Sequence, residues 1–98
     1  MTKVVNIKNG EEYDVYIGRE GHGQDGYFGN PFTTGTRTDK IKNFTKYAIQ
    51  RVSEDPEYRI RVKELYGKRL GCFCSPKPCH GDILAQLSHT LNLEDELE

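Results

Sequence analysis

The sequence lacks a long hydrophobic run and a large excess of charge of either sign. No apolar stretch approaches the roughly 18 residues that a membrane-spanning helix needs, and the N-terminus has no apolar segment typical of a secretory signal. The formal net charge of the 98 residues is −1, which is far from the basic footprint of an electrostatic nucleic-acid binder. With 35% hydrophobic and 30% charged residues, we expect one ordinary globular domain that stays in the cytoplasm.

Cysteine is scarce, and its distribution excludes a secreted disulfide scaffold. The three cysteines all lie between Cys72 and Cys79, whereas small secreted domains carry an even and dispersed set. Reduced thiols, a metal site or a core strand are the expected alternatives.

Acidic residues are concentrated at the end of the chain. Four of the fifteen fall within residues 94–98, so we predict a single α/β domain over residues 1–93 and a solvated, frayed acidic tail over residues 94–98. The remaining 93 residues then carry a small positive charge, which suits a small anionic ligand.

Hydrophobic patterning predicts the element order β-β-α-α-β-α. Two β-prone runs, residues 3–8 and 11–17, flank Asn9-Gly10, the two-residue turn that most favours an antiparallel hairpin. Helical spacing predicts a helix over residues 39–53, a second one from Pro56 to Gly67, and a last one over residues 80–92. A strand over residues 69–74 is predicted between the second and the last helix. Because helices connect it to the earlier strands, we expect a parallel crossover. The predicted fold class is α/β: a small Rossmann-like three-layer sandwich with a mainly parallel short sheet and an antiparallel N-terminal edge strand.

Two irregular segments are the candidate functional loops. Residues 18–35 contain six glycines and are too long for a simple connection, and residues 75–79 form a turn with Pro76 and Pro78. Ligands of parallel α/β folds bind beyond the carboxyl ends of the strands. Both loops begin at such ends, so we expect them to form one ligand-binding crevice.

Several residues of these loops have the chemistry to bind an anion. Arg19 offers a bidentate cationic fork, and the amide of Asn30 could contact a base or ribose. The last helix begins after the second loop, where unpaired N–H groups and the helix dipole favour an anion, and Gly81 would let a ligand approach the backbone. Alternatively, Asp82 or Ser75 caps that helix and nothing binds. The predicted ligand-binding residues are Arg19, Gly29, Asn30, Arg37, Cys74, Ser75, Cys79, His80 and Gly81.

The cysteines suggest two further chemistries. Cys79, at the helix start, and Asp82 are the catalytic candidates. Neighbours on a helix diverge by about 100°, so adjacency in sequence does not by itself orient the His80 ring toward the sulfur, and we expect an inert, half-buried thiol. Cys72 is expected in the core. A zinc site has the right ligand types but poor spacing, so no metal is predicted; its members would be Cys72, Cys74, Cys79 and His80.

Three motifs in order resemble the family known as domain of unknown function 4326, found in bacteriophages and bacteria. They are Val15-Tyr16-Ile17-Gly18-Arg19, Gly29-Asn30-Pro31-Phe32 and Leu70-Gly71-Cys72-Phe73-Cys74-x-Pro76-x-x-Cys79-His80-Gly81-Asp82-Ile83-Leu84. The resemblance covers roughly residues 4–90, although the family often has tryptophan at the position of Phe73. It implies a compact Rossmann-type domain, and related folds bind nucleotides or ADP-ribose-like molecules in bacterial conflict systems. It implies no reaction.

The favoured function is therefore binding of a small phosphorylated ligand, above all a nucleotide or ADP-ribose derivative, with no cofactor and no membrane partner. If the chain is phage-encoded, it would act in the host cytoplasm and could sequester a host immune signal. Three alternatives stay open: a nucleotide-processing hydrolase or transferase that uses Cys79 or Asp82, a zinc-stabilised interaction module, and a homo-oligomer that completes the pocket. Nucleic-acid binding is a weaker alternative, based on the basic helix face of Lys40, Lys42, Lys46 and Arg51.

Overall fold

The computed structural model describes residues 2–21, 23–73 and 79–97, without the side chains of residues 96 and 97. The strands are β1 (Lys3–Asn6), β2 (Val15–Tyr16) and β3 (Arg69–Cys72), and the helices are α1 (Arg37–Glu54), α2 (Pro56–Lys63) and α3 (His80–Leu97). A 3-10 turn at Ile7–Asn9 follows β1. The predicted order of strands and helices is confirmed, and the fold is mixed α/β with a small open sheet.

The sheet has the order β1-β3-β2, and β3 pairs in parallel with both neighbours. The predicted hairpin and the antiparallel edge strand are therefore wrong. Asn9 lies in the 3-10 turn, and Gly10, at φ +75°, ends that turn by donating its N–H to Ile7 O. The chain does not form a tight hairpin there. Residues 7–14 instead run back across the sheet, so that β2 starts on the far side of β3 and is parallel to it.

An ion pair fixes the place of β2 beside β3. Asp14 accepts hydrogen bonds from the backbone N and the Nε of Arg69 at 2.8 and 3.2 Å, and from its Nη2 at 3.0 Å. These bonds hold the pKa of Asp14 at about 2, below its usual 3.8. The pair joins the first residue of β3 to the residue before β2, so it favours the parallel register over the hairpin.

The two faces of β3 are covered differently. Leu70 and Cys72 are buried in the core together with side chains of all three helices. Gly71 lies on the other face, where a Cβ atom would be 2.6 Å from Tyr13 Cγ and 3.0 Å from Ile7 Cδ1. The segment between β1 and β2 therefore covers this face, and only a glycine lets it approach β3 so closely.

The first two helices start at capping side chains. Thr36 Oγ1 accepts the N–H of Asp39, and the Asp39 carboxylate accepts the N–H of Thr36, so α1 begins two residues earlier than predicted. Asp55 accepts the N–H groups of Glu57 and Tyr58, which confirms the predicted start of α2.

The last helix is longer than predicted, because ion pairs hold its end. Asp95 forms salt bridges with Arg59, at 3.3 Å, and with Lys63, and Glu94 lies 3.8 Å from Arg59. The expectation of a frayed end is wrong for these two acids, which hold α3 against α2. Among the residues that the structure describes, none of the helices combines the length and apolar character that a bilayer span requires.

Candidate ligand-binding site

A cavity of about 610 Å³ lies where β2 and β3 end. Described parts of both predicted loops line it, together with the start of α1 and the start of α3. Of the predicted binding residues, the cavity brings together Arg19, Asn30, Arg37, Cys79 and His80. Two stretches of chain about sixty residues apart thus share one concave site.

His80 connects the start of α3 to the end of β2. Its Nε2 lies 2.7 Å from Ile17 O. Since a carbonyl only accepts, Nε2 carries the proton and Nδ1 presents a lone pair. Burial lowers the pKa of His80 below its usual 6.5, although hydrogen bonds to the backbone carbonyls of Ile17 and Phe28 oppose the shift, so the neutral ring predominates at pH 7. The Phe44 ring packs edge-on against it at 5.0 Å.

The His80 ring faces the Cys79 sulfur, an orientation that their adjacency in sequence does not by itself require. Nδ1 lies 3.8 Å from Cys79 Sγ. The divergence of about 100° holds between residues within a helix, whereas Cys79 precedes α3 and has its own backbone direction. The sequence does place these two residues side by side, but only the conformation of the residue before the helix decides where the sulfur points.

Cys79 and Asp82 together cap α3. Cys79 is 3% exposed, and its Sγ accepts the N–H of Gly81 at 3.1 Å. Its own N–H donates to Asp82 Oδ2 at 3.1 Å, while the N–H of Asp82 donates to Cys79 O. Asp82 therefore has the capping role that was the alternative to anion binding at this helix start, and it is not among the residues that line the cavity.

Gly81 has a packing role and is not among the residues that line the cavity. A Cβ atom there would be 2.6 Å from Ile17 Cδ1 and 3.1 Å from Val4 Cγ2. The glycine is buried and lets α3 lie directly against the first two strands. Because the N–H groups of Gly81 and Asp82 already have partners inside the protein, the start of α3 offers a ligand fewer amides than predicted.

Arg19 and Asn30 build the loop that borders the cavity. Arg19 donates from Nε to Asn30 O at 3.2 Å and from Nη2 to Phe32 O at 3.1 Å. Asn30, 8% exposed, accepts the N–H of Phe32 at 2.9 Å and donates to Lys40 O at 3.2 Å. The Asn30 amide thus holds the loop to α1, and Arg19 uses only part of its guanidinium for the loop.

Gly29 is set apart from the main cavity. A Cβ atom there would be 2.9 Å from Gly18 O and 3.1 Å from Arg19 Cα. The glycine allows two loop segments to touch, and it borders a neighbouring depression of about 430 Å³ that includes Tyr47 and Arg51.

Positive charge and aromatic rings characterise the cavity. Among the described lining residues, Arg19, Arg37 and Lys40 stand against one acid, Glu20. Tyr16 and Phe73 line it as well, with ring centroids 6.4 Å apart in an edge-to-face arrangement, and Phe73 is 42% exposed.

Four of these lining residues are not among the predicted binding residues: Tyr16, Glu20, Lys40 and Phe73. The sequence pattern presents Lys40 only as part of a basic helix face and Tyr16 as a strand residue, and it gives no signal for Glu20. Phe73 follows the last residue of β3 on the side away from the core, and this position is the signal that could identify it.

The remaining predicted residues lie elsewhere or outside the described part. Cys74, Ser75 and Pro76 are outside the described residues, so the zinc set cannot be assembled from the structure. Within residues 2–21, 23–73 and 79–97, no group of three or more His, Cys, Asp or Glu side chains is placed to hold a metal ion. Cys72 is buried in the core, as expected, and its Sγ lies 3.5 Å from Cys79 Sγ.

These features define a small α/β protein with an open parallel sheet and a cationic cavity at the strand ends that contains a cysteine–histidine pair. The chain belongs to the family described as domain of unknown function (DUF4326), whose model matches residues 3–90, and the resemblance of the three motifs is thus confirmed. It is similar to an uncharacterized 12.4 kDa protein in the nrdA–td intergenic region of Enterobacteria phage T4, with 38% identity over 91 residues, which cover 93% of this chain and 72% of that protein. No solved structure matches the chain.

Proposed function

We propose that this protein binds a small phosphorylated ligand, a nucleotide or ADP-ribose derivative, in the cavity at the strand ends. The observation that carries the proposal is the lining by Arg19, Arg37 and Lys40, with Glu20 as the single acid among the lining residues that the structure describes. A volume of about 610 Å³ lies within the roughly 300–1,000 Å³ of small-molecule sites.

The cations suggest where the phosphate lies. Arg37 is the first residue of α1 and Lys40 lies in its first turn, so both charges stand at the positive end of the helix dipole. A guanidinium binds phosphate oxygens bidentately and an ammonium adds a point charge. We place the phosphate at the start of α1, with the remaining Arg19 donors nearby.

The aromatic rings suggest where the base lies. Phe73 is exposed enough for a ring to pack on it, and Tyr16 supports it edge-on. The Glu20 carboxylate can accept hydrogen bonds from ribose hydroxyls or an exocyclic amine.

The position of the cavity agrees with the fold. Parallel α/β sheets bind ligands outside the carboxyl ends of their strands, and we infer that this sheet is a reduced Rossmann-like arrangement. The relative in phage T4 supports a phage protein that acts in the host cytoplasm, where sequestration of a host immune nucleotide is the role we propose.

Calorimetry against AMP, ADP, ATP and ADP-ribose tests the proposal. Lys40→Met removes one lining charge and keeps the backbone carbonyl that Asn30 uses, so it should weaken binding about 10- to 100-fold, the value of one charged hydrogen bond. Lys42→Met, an exposed lysine of the same helix outside the lining, is the matched control and should bind normally. Absence of heat with all four ligands would contradict the proposal, and equal effects of both variants would show diffuse attraction instead of a site.

The contact between Cys79 and His80 favours a second candidate, a nucleotide-processing hydrolase or transferase. Nδ1 carries a lone pair 3.8 Å from the sulfur and could take its proton, so that Cys79 attacks the bound ligand as a nucleophile. Chromatography of the same ligands after incubation would reveal products. Turnover that persists in Cys79→Ser would remove the cysteine from the mechanism.

A further inference from the structure

Two cysteine sulfurs lie in contact at the lining of the cavity. Cys72 ends β3, Cys79 precedes α3, and their Sγ atoms are 3.5 Å apart. A disulfide bond is about 2.05 Å long, so the sulfurs need to approach each other by about 1.5 Å. Both residues line the cavity although they are only 2% and 3% exposed, and a small oxidant can therefore reach them from its interior.

The surroundings of the Cys79 sulfur favour its activation. Its Sγ accepts the Gly81 N–H at 3.1 Å and faces the lone pair of His80 Nδ1 at 3.8 Å. Hydrogen-bond donation at a helix start favours a thiolate over a thiol, and the imidazole can receive the proton. Both cysteines belong to the apolar core cluster, so the donor and the base at Cys79 offset the cost of a buried thiolate there.

We propose that Cys72 and Cys79 are a reversible oxidation site, at which a hydroperoxide such as hydrogen peroxide converts the two thiols into an intramolecular disulfide. This inference does not rest on the proposed ligand. It rests on the contact between the sulfurs and on the donor and the base that face Cys79.

The reaction has two balanced steps. First, the Cys79 thiolate attacks one peroxide oxygen, and the O–O bond breaks. Hydroxide leaves and becomes water with the proton taken from the thiol, and Cys79 becomes a sulfenic acid. Second, the Cys72 sulfur attacks the Cys79 sulfur; the S–S bond forms, the S–O bond breaks, and the leaving hydroxide becomes water with the Cys72 proton. The two thiols lose two electrons, and the peroxide gains them.

Peptide mapping of peroxide-treated protein tests the proposal. The Cys74→Ser variant is treated with a few equivalents of hydrogen peroxide after reduction, then alkylated and cut by chymotrypsin after Phe73, which separates the two cysteines. We expect the loss of both thiols, a mass lower by about 2 Da, and one cross-linked peptide pair that a dithiol reductant separates. Far-UV circular dichroism during treatment checks that the folded protein reacts.

Single replacements in the Cys74→Ser background test the assigned roles. Added Cys72→Ser should abolish the cross-link and leave a Cys79 sulfenic acid that dimedone traps. Added Cys79→Ser should slow thiol oxidation at least about tenfold, because the N–H donor and the base that favour a thiolate face Cys79.

Five results would overturn the proposal. Three concern the treated protein: an unchanged thiol count after peroxide, a cross-link only between molecules, and faster oxidation at Cys72 than at Cys79. Two concern the wild-type chain: about one equivalent of zinc bound after purification without chelator, and a bridge that forms mainly through Cys74.

Discussion

Gly81→Ala should destabilise the protein although alanine favours helices. The new Cβ would be 2.6 Å from Ile17 Cδ1, and such overpacking costs about 1–3 kcal/mol. Replacing glycine by alanine within a helix returns up to about 1 kcal/mol. We therefore expect a net loss of roughly 1–2 kcal/mol in the free energy of unfolding, which combines these two effects.

Ile17→Val provides the matched control, because it deletes the one atom that the new Cβ would overlap most. Alone, it should cost about 0.5–1.5 kcal/mol. In the Ile17→Val background the steric conflict is largely removed, so Gly81→Ala should be close to neutral or stabilising. The double-mutant cycle should then give a coupling energy of about 1–3 kcal/mol, as for residues in direct contact.

Urea denaturation followed by far-UV circular dichroism measures all four proteins of the cycle. A changed midpoint at constant slope reports a changed stability. If Gly81→Ala is as stable as wild type, or if the two changes are additive, then Gly81 does not let α3 approach Ile17. In that case the original interpretation of this glycine, as a place where a ligand approaches the backbone, would be restored.

Three further predictions concern the loop, the buried ring and the ion pair. Asn30→Ala should lower the free energy of unfolding by about 1–3 kcal/mol, because the Phe32 N–H and the Lys40 carbonyl lose the buried amide that pairs with them. Asn43→Ala on the exposed face of α1 should have little effect, and thermal unfolding of the two variants compares them. The pKa of His80 is lowered in the folded state, so the unfolded chain takes up the proton first as the pH falls below about 6.5. The free energy of unfolding should decrease below that pH in wild type and be flatter in His80→Gln, and equal slopes would refute the assignment. The pKa of Asp14 is about 2, so the stability that its pair with Arg69 provides should be lost as the pH falls from about 4 to 2, and acid titration of Asp14→Asn should show a smaller loss.

The site could be located from the sequence because two local signals coincided. The glycine-rich segment and the Cys-His turn each follow a β-prone run, and parallel strands end at one edge of a sheet. The prediction therefore placed Arg19 and His80 in one crevice, and both line the cavity. The individual roles were harder to predict, because the internal contacts of these residues depend on the tertiary structure: the Asn30 amide holds the loop to α1, Gly81 packs against Ile17, and Asp82 caps α3.

The sequence by itself determined the number and order of the helices, the start of α2 and the approximate place of each strand, because these depend on residues within a few positions of one another. Only the tertiary structure decided the sheet order, the orientation of His80 and the need for glycine at position 81. The Asp14–Arg69 pair spans 55 positions and the His80–Ile17 contact spans 63. Such contacts outweigh a local turn preference. The hairpin preference of Asn9-Gly10 comes from two residues only, whereas the parallel sheet is stabilised by contacts between segments far apart in the chain.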